Sequence, residues 1–306
     1  MNTSIDATSN LGANAAAAAA AILLGASLVA IHVIVREIQP LTLAILRFGL
    51  GSLVLFAALA VFRRDLLRVA PRDIPYLTLL GALFFTIFPL TFNAGMQYIP
   101  ASRGALIMAT MPLWTLVLGR GVARERLTAR QVAGVMISVA GVAAVLADRR
   151  ATRSAFATGD LLIVATALCG AIYNVLAKRS VTKYGGVTVT FYAMILGTLL
   201  LMPLLLAQSA FGVRAWSRET LALLVFVGIL GGALGFTLWT SALRRLSPTQ
   251  VAVYINLNPL TATAIAATLL HERLSLRFVG GFLAVAAGVF IVNWTPAARR
   301  AALSSP

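Results

Sequence analysis

The chain has 306 residues, of which 60% are hydrophobic and only 11% charged, and its mean hydropathy is +0.92. So much apolar surface excludes a water-soluble globule and places the chain in a lipid bilayer. The formal charge of +16 would suit nucleic acid in a soluble protein, but nearly every Lys and Arg falls in a short gap between long apolar runs, so no nucleic-acid partner is assigned.

Crossing the hydrocarbon takes about 20 apolar residues. Ten runs of that size follow one another, near 11–35, 41–62, 74–98, 101–120, 129–147, 159–178, 187–208, 219–243, 248–269 and 276–294. Backbone groups in lipid must be paired within the segment, and the runs are too long and unalternating for barrel strands, so each is read as a helix. The opening MNTSIDATSN carries no basic residue before the first run, which argues against a cleaved signal peptide and keeps 11–35 as a membrane helix. The predicted fold is an all-α membrane protein, a single transmembrane domain over 1–306.

Orientation follows from the gaps. With the N-terminus inside, the cytoplasmic gaps hold fifteen basic residues, among them Arg63, Arg64, Arg68 and Arg72, and the opposite gaps hold nine. That excess puts both termini on the cytoplasmic side of a bacterial-type inner membrane.

Residues 100–146 reappear at 247–293 with a constant offset of 147 and no gap. The agreements include Pro112/Pro259, Glu125/Glu272, Arg126/Arg273, Leu127/Leu274, Gly134/Gly281 and Gly141/Gly288. The chain therefore divides into a first repeat over 11–147 and a second over 158–294. Five helices is an odd number, so the second copy enters the membrane upside down relative to the first. Inverted repeats are the architecture of secondary transporters, with the substrate near the midplane where the halves meet.

The residues that carry a family resemblance are the PLTLAILRF run at 40–48, the helices of Pro112 and Pro259, ARERLTARQVAG at 123–134 and LHERLSLRFVGG at 270–281. Together they resemble the drug/metabolite transporter superfamily, in particular its EamA-type ten-helix members and their amino-acid and aromatic-metabolite exporters. The resemblance implies export of a small metabolite and covers nearly the whole chain. The first helix reads GASLVAIHV where many relatives have a Trp-Gly start, so no role of that aromatic is carried over.

Candidate site residues come from polarity inside the spans. Pro112 and Pro259 fall mid-run as hinge candidates, each freeing the carbonyl four residues back, at Met108 and Ile255. That makes either two kinked walls beside a cavity or a bend that serves packing alone. Tyr254, Asn258 and Thr261 share one helix face, from which Asn256 points away, and the matching stripe is Ile107, Met111 and Trp114. Such a stripe needs a cavity or another helix. Repeat mates in the third and eighth spans pair Phe92 with Trp239 and Asn93 with Thr240; Trp239 reads as a cavity wall or an interfacial anchor. Tyr173 and Asn174 in the sixth span are further candidates. The substrate-binding set is Asn93, Met111, Trp114, Tyr173, Trp239, Tyr254 and Asn258.

Arg47 lies six residues into the second span, about 9 Å deep at 1.5 Å per residue. It is open to snorkelling, to pairing with backbone carbonyls or Glu37, and to substrate contact. Thr128 and Gln131 form a capping box for the fifth helix, which makes the ERL segments loop fixtures. Glycines at 228, 231, 232 and 235 permit close helix contacts, and Gly280, Ala284 and Gly288 form a stripe that packs within its half or makes a dimer seam.

All nine acids lie in termini, gaps or helix ends, His32 is the one histidine near a pathway, and the single Cys169 allows no disulfide or thiol cluster. No catalytic set, metal site or cofactor is therefore assigned. The expectation is a secondary transporter, a monomer or homodimer in the bilayer, exporting small neutral or zwitterionic amphiphiles. The alternative from another class is a membrane-embedded enzyme or a non-transporting assembly partner.

Overall fold

A computed structural model describes residues 3–98, 104, 107–122, 127–146, 158–207, 216–269 and 276–294. All of its regular elements are helical. In the first half these are α1 (Thr3–Ile34), α2 (Pro40–Phe62), α3 (Ile74–Gly81), α4 (Phe88–Gly95), α5 (Met111–Gly121) and α6 (Ala129–Leu146). In the second they are α7 (Thr158–Tyr184), α8 (Gly186–Ala207), α9 (Arg218–Phe226), α10 (Phe236–Arg245), α11 (Pro248–Ala252), α12 (Leu257–Leu269) and α13 (Leu276–Asn293).

Among the described residues six helical stretches are long and apolar enough to cross a membrane: Asn10–Ile31, Pro40–Phe62, Pro71–Gly95, Thr158–Tyr184, Gly186–Leu204 and Arg218–Arg245. Two shorter apolar helices, Ala129–Ala144 and Val279–Asn293, accompany them. Local chemistry sets several ends. Pro40 and Pro248 sit in first turns, where no backbone N–H is required. Thr128 and Gln131 make the expected capping box, Thr128 N donating to Gln131 Oε1 at 2.9 Å and Gln131 N to Thr128 Oγ1 at 3.3 Å. A second box, Ser247 with Gln250, opens α11. Gly185, at φ +85°, turns α7 into α8 in one residue, a conformation glycine adopts without strain.

Two stretches depart from α geometry at related places. Ala82–Ile87 joins α3 to α4 as a π-helical turn, and Val227–Gly235 joins α9 to α10 in the same way. The first, moved by 147 residues, falls inside the second. The prolines also differ from their reading as mid-helix kinks. Pro112 lies in the first turn of α5, after a turn at Ala109–Thr110, and Pro259 follows the 3-10 turn Val253–Asn256. Each proline thus restarts a helix that has already broken, where its missing N–H costs least.

Helix packing exchanges the two repeats. A Cβ on Gly134 would lie 2.9 Å from the Gly288 carbonyl oxygen, and one on Gly141 would lie 2.8 Å from that of Gly281. Each glycine rests on the mate of the other, so α6 and α13 run antiparallel at van der Waals contact. The α13 stripe is therefore Gly281, Ala284 and Gly288, not Gly280, around which nothing lies within 4 Å, and it joins the halves instead of packing within one. The same exchange relates Gly81 against Gly197 to its mate Gly228 against Leu50, and further close approaches bring Gly51 onto Gly228 and Gly25 onto Asn258. Small residues allow this approach where lipid supplies no hydrophobic drive between helices. The eighth-span glycines do the same work, lying against α1 and α2.

Candidate functional site

Between the two π turns lies an aromatic core. Phe84 and Phe85 project from the first turn; Phe84 stacks on Tyr173 at 4.3 Å, and Phe85 meets Phe48 and Phe236 edge-on at 5.1 and 5.2 Å. The repeat mates of Phe84 and Phe85 are Gly231 and Gly232, which leave room where the first turn fills it. Ser27 occupies that room, its Oγ 2.1 Å from where a Gly231 Cβ would be, and Arg47 lies just beyond.

Arg47 resolves among its open alternatives. Its Nε donates to the Val227 carbonyl at the start of the second π turn, 3.2 Å away, and its guanidinium lies over Phe48 at 5.1 Å and Phe236 at 5.8 Å. A backbone carbonyl and two ring faces stabilise the cation within the bundle. Glu37 is engaged elsewhere, accepting from Ser217 N.

Polar side chains inside the bundle form short links that leave atoms over. Trp239 is 2% exposed and donates from Nε1 to Asn174 Oδ1 at 2.8 Å, which makes it a core residue and not an interfacial anchor. Asn256 Nδ2 donates to Ser138 Oγ at 2.9 Å on α6. Tyr254 donates to Asn14 Oδ1 at 2.8 Å on α1, the interhelical bond and not a free cavity hydroxyl. Asn258 and Thr261 also lie against α1, at Gly25, so the Tyr254 stripe faces one helix while Asn256 faces another. The Tyr173 hydroxyl, Asn174 Nδ2, Asn256 Oδ1 and Asn258 Oδ1 are buried without a hydrogen-bond partner. Two are donors and two acceptors. Such atoms are uncommon, and each is costly unless something else satisfies it.

The remaining candidates separate. Met111 is buried with Sδ against Gly170. Asn93 is half-buried, while its mate Thr240 is fully buried, its hydroxyl 2.7 Å from that of Thr190. Trp114 stands apart from the rest. It is 38% exposed, its Nε1 bonds Thr110 Oγ1 at 3.2 Å, and it lines an open groove of about 420 Å³ with Ile107, Leu113, Val117 and Val164. The structure brings Tyr173 and Trp239 together through α7, and Tyr254 and Asn258 together on α1, and it leaves Trp114 on the outer surface. Sequence reading also passed over the burial of Asp160 in the first turn of α7, at 1% exposure. The ERL glutamates and the His32 side chain lie outside the described residues.

The Tyr254–Asn14 bond invites a direct measurement. Tyr254→Phe and Asn14→Ala are expected to be non-additive in thermal stability, with a coupling of about 0.6 kcal/mol, the usual size for a bond between membrane helices. Strict additivity in the double variant would show that the bond contributes nothing.

Comparison with known proteins adds the following. The EamA-like transporter family matches the chain twice, over residues 11–147 and 157–294. A probable terminal-alkyne amino-acid exporter of Streptantibioticus cattleyicolor is 31% identical over 240 residues, 78% of this chain and 80% of the relative. A probable amino-acid metabolite efflux pump of Escherichia coli is 27% identical over 290 residues, 90% of this chain and 94% of the relative. An uncharacterized transporter of Archaeoglobus fulgidus is 27% identical over 268 residues, covering 88% and 94%. One solved crystal structure superposes with a TM-score of 0.77 at 20% identity, over 96% of this chain and 99% of the other, so the fold is shared.

Proposed function

The chain belongs to the EamA-like transporter family and is a multi-pass membrane transporter of small molecules, and on that premise we propose that it exports amino acids or amphiphilic amino-acid derivatives by alternating access. Ten spans in two inverted five-helix repeats, both termini cytoplasmic in the inner membrane, make up the working architecture, as a monomer or homodimer. The observation that carries the mechanism is the exchange of seams: α6 on α13, and Gly81 on Gly197 with its mate contact Gly228 on Leu50. Contacts that return when the repeats are swapped are what a two-fold relation between halves requires, and antiparallel mates suit an axis in the membrane plane.

The substrate assignment rests on different support. Relatives named for amino-acid export cover most of this chain. The unpaired buried atoms also match a zwitterion: the Tyr173 hydroxyl and Asn174 Nδ2 offer donors for a carboxylate, and the Asn258 oxygen offers an acceptor for an ammonium. Met111, Trp239, Tyr254 and Asn93 complete the route, and Trp114 marks its outer wall. Aromatic walls around the polar atoms favour an apolar or aromatic side chain.

Counterflow tests this reading. Proteoliposomes loaded with an unlabelled aromatic amino acid are expected to accumulate the radiolabelled form, and Asn258→Ala to weaken its apparent affinity roughly threefold to tenfold, the worth of one orienting hydrogen bond. An absence of counterflow for every amino acid, with folded protein in the vesicles, would overturn the substrate class.

A further inference from the structure

At one end of α2, Ser217 N donates to Glu37 Oε2 at 2.9 Å; at the other end, Ala70 N donates to the Tyr184 hydroxyl at 3.3 Å. The two bonds are repeat mates. Glu37 and Tyr184 stand 147 residues apart, and so do Ala70 and Ser217. Each bond runs from a side chain at the end of, or just after, the first helix of one repeat to the backbone of the connection before the third helix of the other. Every one of these bonds therefore crosses between halves. With α2 spanning 23 residues, they lie about 35 Å apart, on opposite sides of a bilayer.

From this duplication we infer that Glu37 and Tyr184 are the two gate latches of the transporter, one closing each end, and that transport releases them one at a time. The inference rests on the alternating-access reading above. In a protein whose halves rock about a shared axis, opening one end separates the first-second turn of one repeat from the second-third connection of the other. Those are the segments that the two bonds join.

Further bonds surround each latch. At the Tyr184 end the hydroxyl also donates to Asp73 Oδ2, which pairs with Lys183 Nζ at 2.5 Å. Thr188 Oγ1 donates to the Leu66 carbonyl at 3.0 Å and the Tyr192 hydroxyl to that of Leu67 at 2.7 Å. All of these bonds join the first repeat to the second. In the same connection, a hydrogen bond from Arg63 holds the Asp65 carboxyl below the usual carboxylate range. At the Glu37 end the side chain clasps the chain just before α9, where Ser217 Oγ caps the helix by accepting from Thr220 N and Trp216 packs near Ile31 and Ile34. The Tyr184 latch lies on the cytoplasmic side in the proposed orientation. An exporter must open that side to load, so release of the Tyr184 latch admits the substrate.

Spin-label distances read each gate separately. On a Cys169→Ala background, one pair is placed at Arg68→Cys and Thr182→Cys, and the other at Val35→Cys and Arg218→Cys, in proteoliposomes without amino acid. Tyr184→Phe is expected to raise the open-to-closed ratio of the 68/182 pair roughly threefold to tenfold, the effect of one or two lost hydrogen bonds, without opening the 35/218 pair. Glu37→Ala should do the reverse, opening 35/218 alone. Thr188→Val gives a second reading of the Tyr184 end should Tyr184→Phe fold poorly. Lower melting temperatures with neither distance distribution moved would overturn the latches. The substrate reading fails separately: distances that shift while no amino acid is exchanged keep the latches and remove the substrate, and counterflow with unmoved distances does the opposite.

Discussion

Gly81→Ala is expected to destabilise the protein by about 3 kcal/mol or more, at the upper end of what overpacking costs in a well-packed interior. The added methyl would sit 2.4 Å from the Ala193 carbonyl oxygen and 2.8 Å from Gly197 N, both backbone atoms of α8. Backbone cannot rotate away as a side chain does, so α3 and α8 would have to separate along their whole contact. The reciprocal Gly197→Ala meets the Gly81 carbonyl at 2.5 Å and Phe85 Cβ at 2.7 Å, and the same loss is expected. The repeat mate supplies an internal control. A methyl on Gly228 meets first the end of the Leu50 side chain, at 2.8 Å, which has rotamers to try, so Gly228→Ala should cost clearly less. Gly280→Ala meets nothing within 4 Å and should be neutral or slightly stabilising through helix propensity. Melting curves of the four purified variants give the order, and a Gly81→Ala protein that melts with the wild type would refute the close contact.

Much of this packing was legible in the chain as written. The offset of 147 located both repeats because mates that pack on one another's partners must stay small together, as Gly134, Gly141, Gly281 and Gly288 do. The Thr128–Gln131 box was readable because a cap is a local bond between residues three apart. What sequence reading mistook turns on rotation about a helix axis. Gly280 and Gly281 differ by about 100° at 3.6 residues per turn, and a helix apolar on nearly all sides gives no moment to choose between them. Trp114 and Trp239 look alike for the same reason, yet one faces outward and the other is in the core.

The π turns left no local signature at all. Each inserts extra residues into a helix whose composition is ordinary for a membrane span, so only packing across the halves reveals it. Their consequence for the site is considerable. The first turn presents Phe84 and Phe85, and the second presents glycine at both mates, so a symmetric backbone carries an asymmetric lining: rings on one side, Ser27 and Arg47 on the other. The prolines marked breaks correctly in place and wrongly in kind, since a turn precedes each one and the ring only fixes where helix resumes.

Trp239 should separate structural from functional roles most sharply. Trp239→Ala empties a buried indole site and is expected to cost about 3–5 kcal/mol, enough to lower yield as well as activity. Trp239→Phe keeps a ring but removes the donor at 2.8 Å from Asn174, leaving an amide with neither end satisfied, for a loss of about 1–3 kcal/mol. Asn174→Leu together with Trp239→Phe removes both polar partners at once and should recover much of that stability, because no buried acceptor is then stranded. If the pair serves packing alone, the recovered double variant should exchange substrate as the wild type does. As a binding wall it predicts the reverse: a stable double variant whose counterflow of aromatic amino acids falls tenfold or more, the loss of one ring-stacking surface and one orienting amide, with small amino acids affected less. Equal counterflow of large and small substrates in a well-folded double variant would remove Trp239 and Asn174 from the route and leave them as a bolt between α7 and α10.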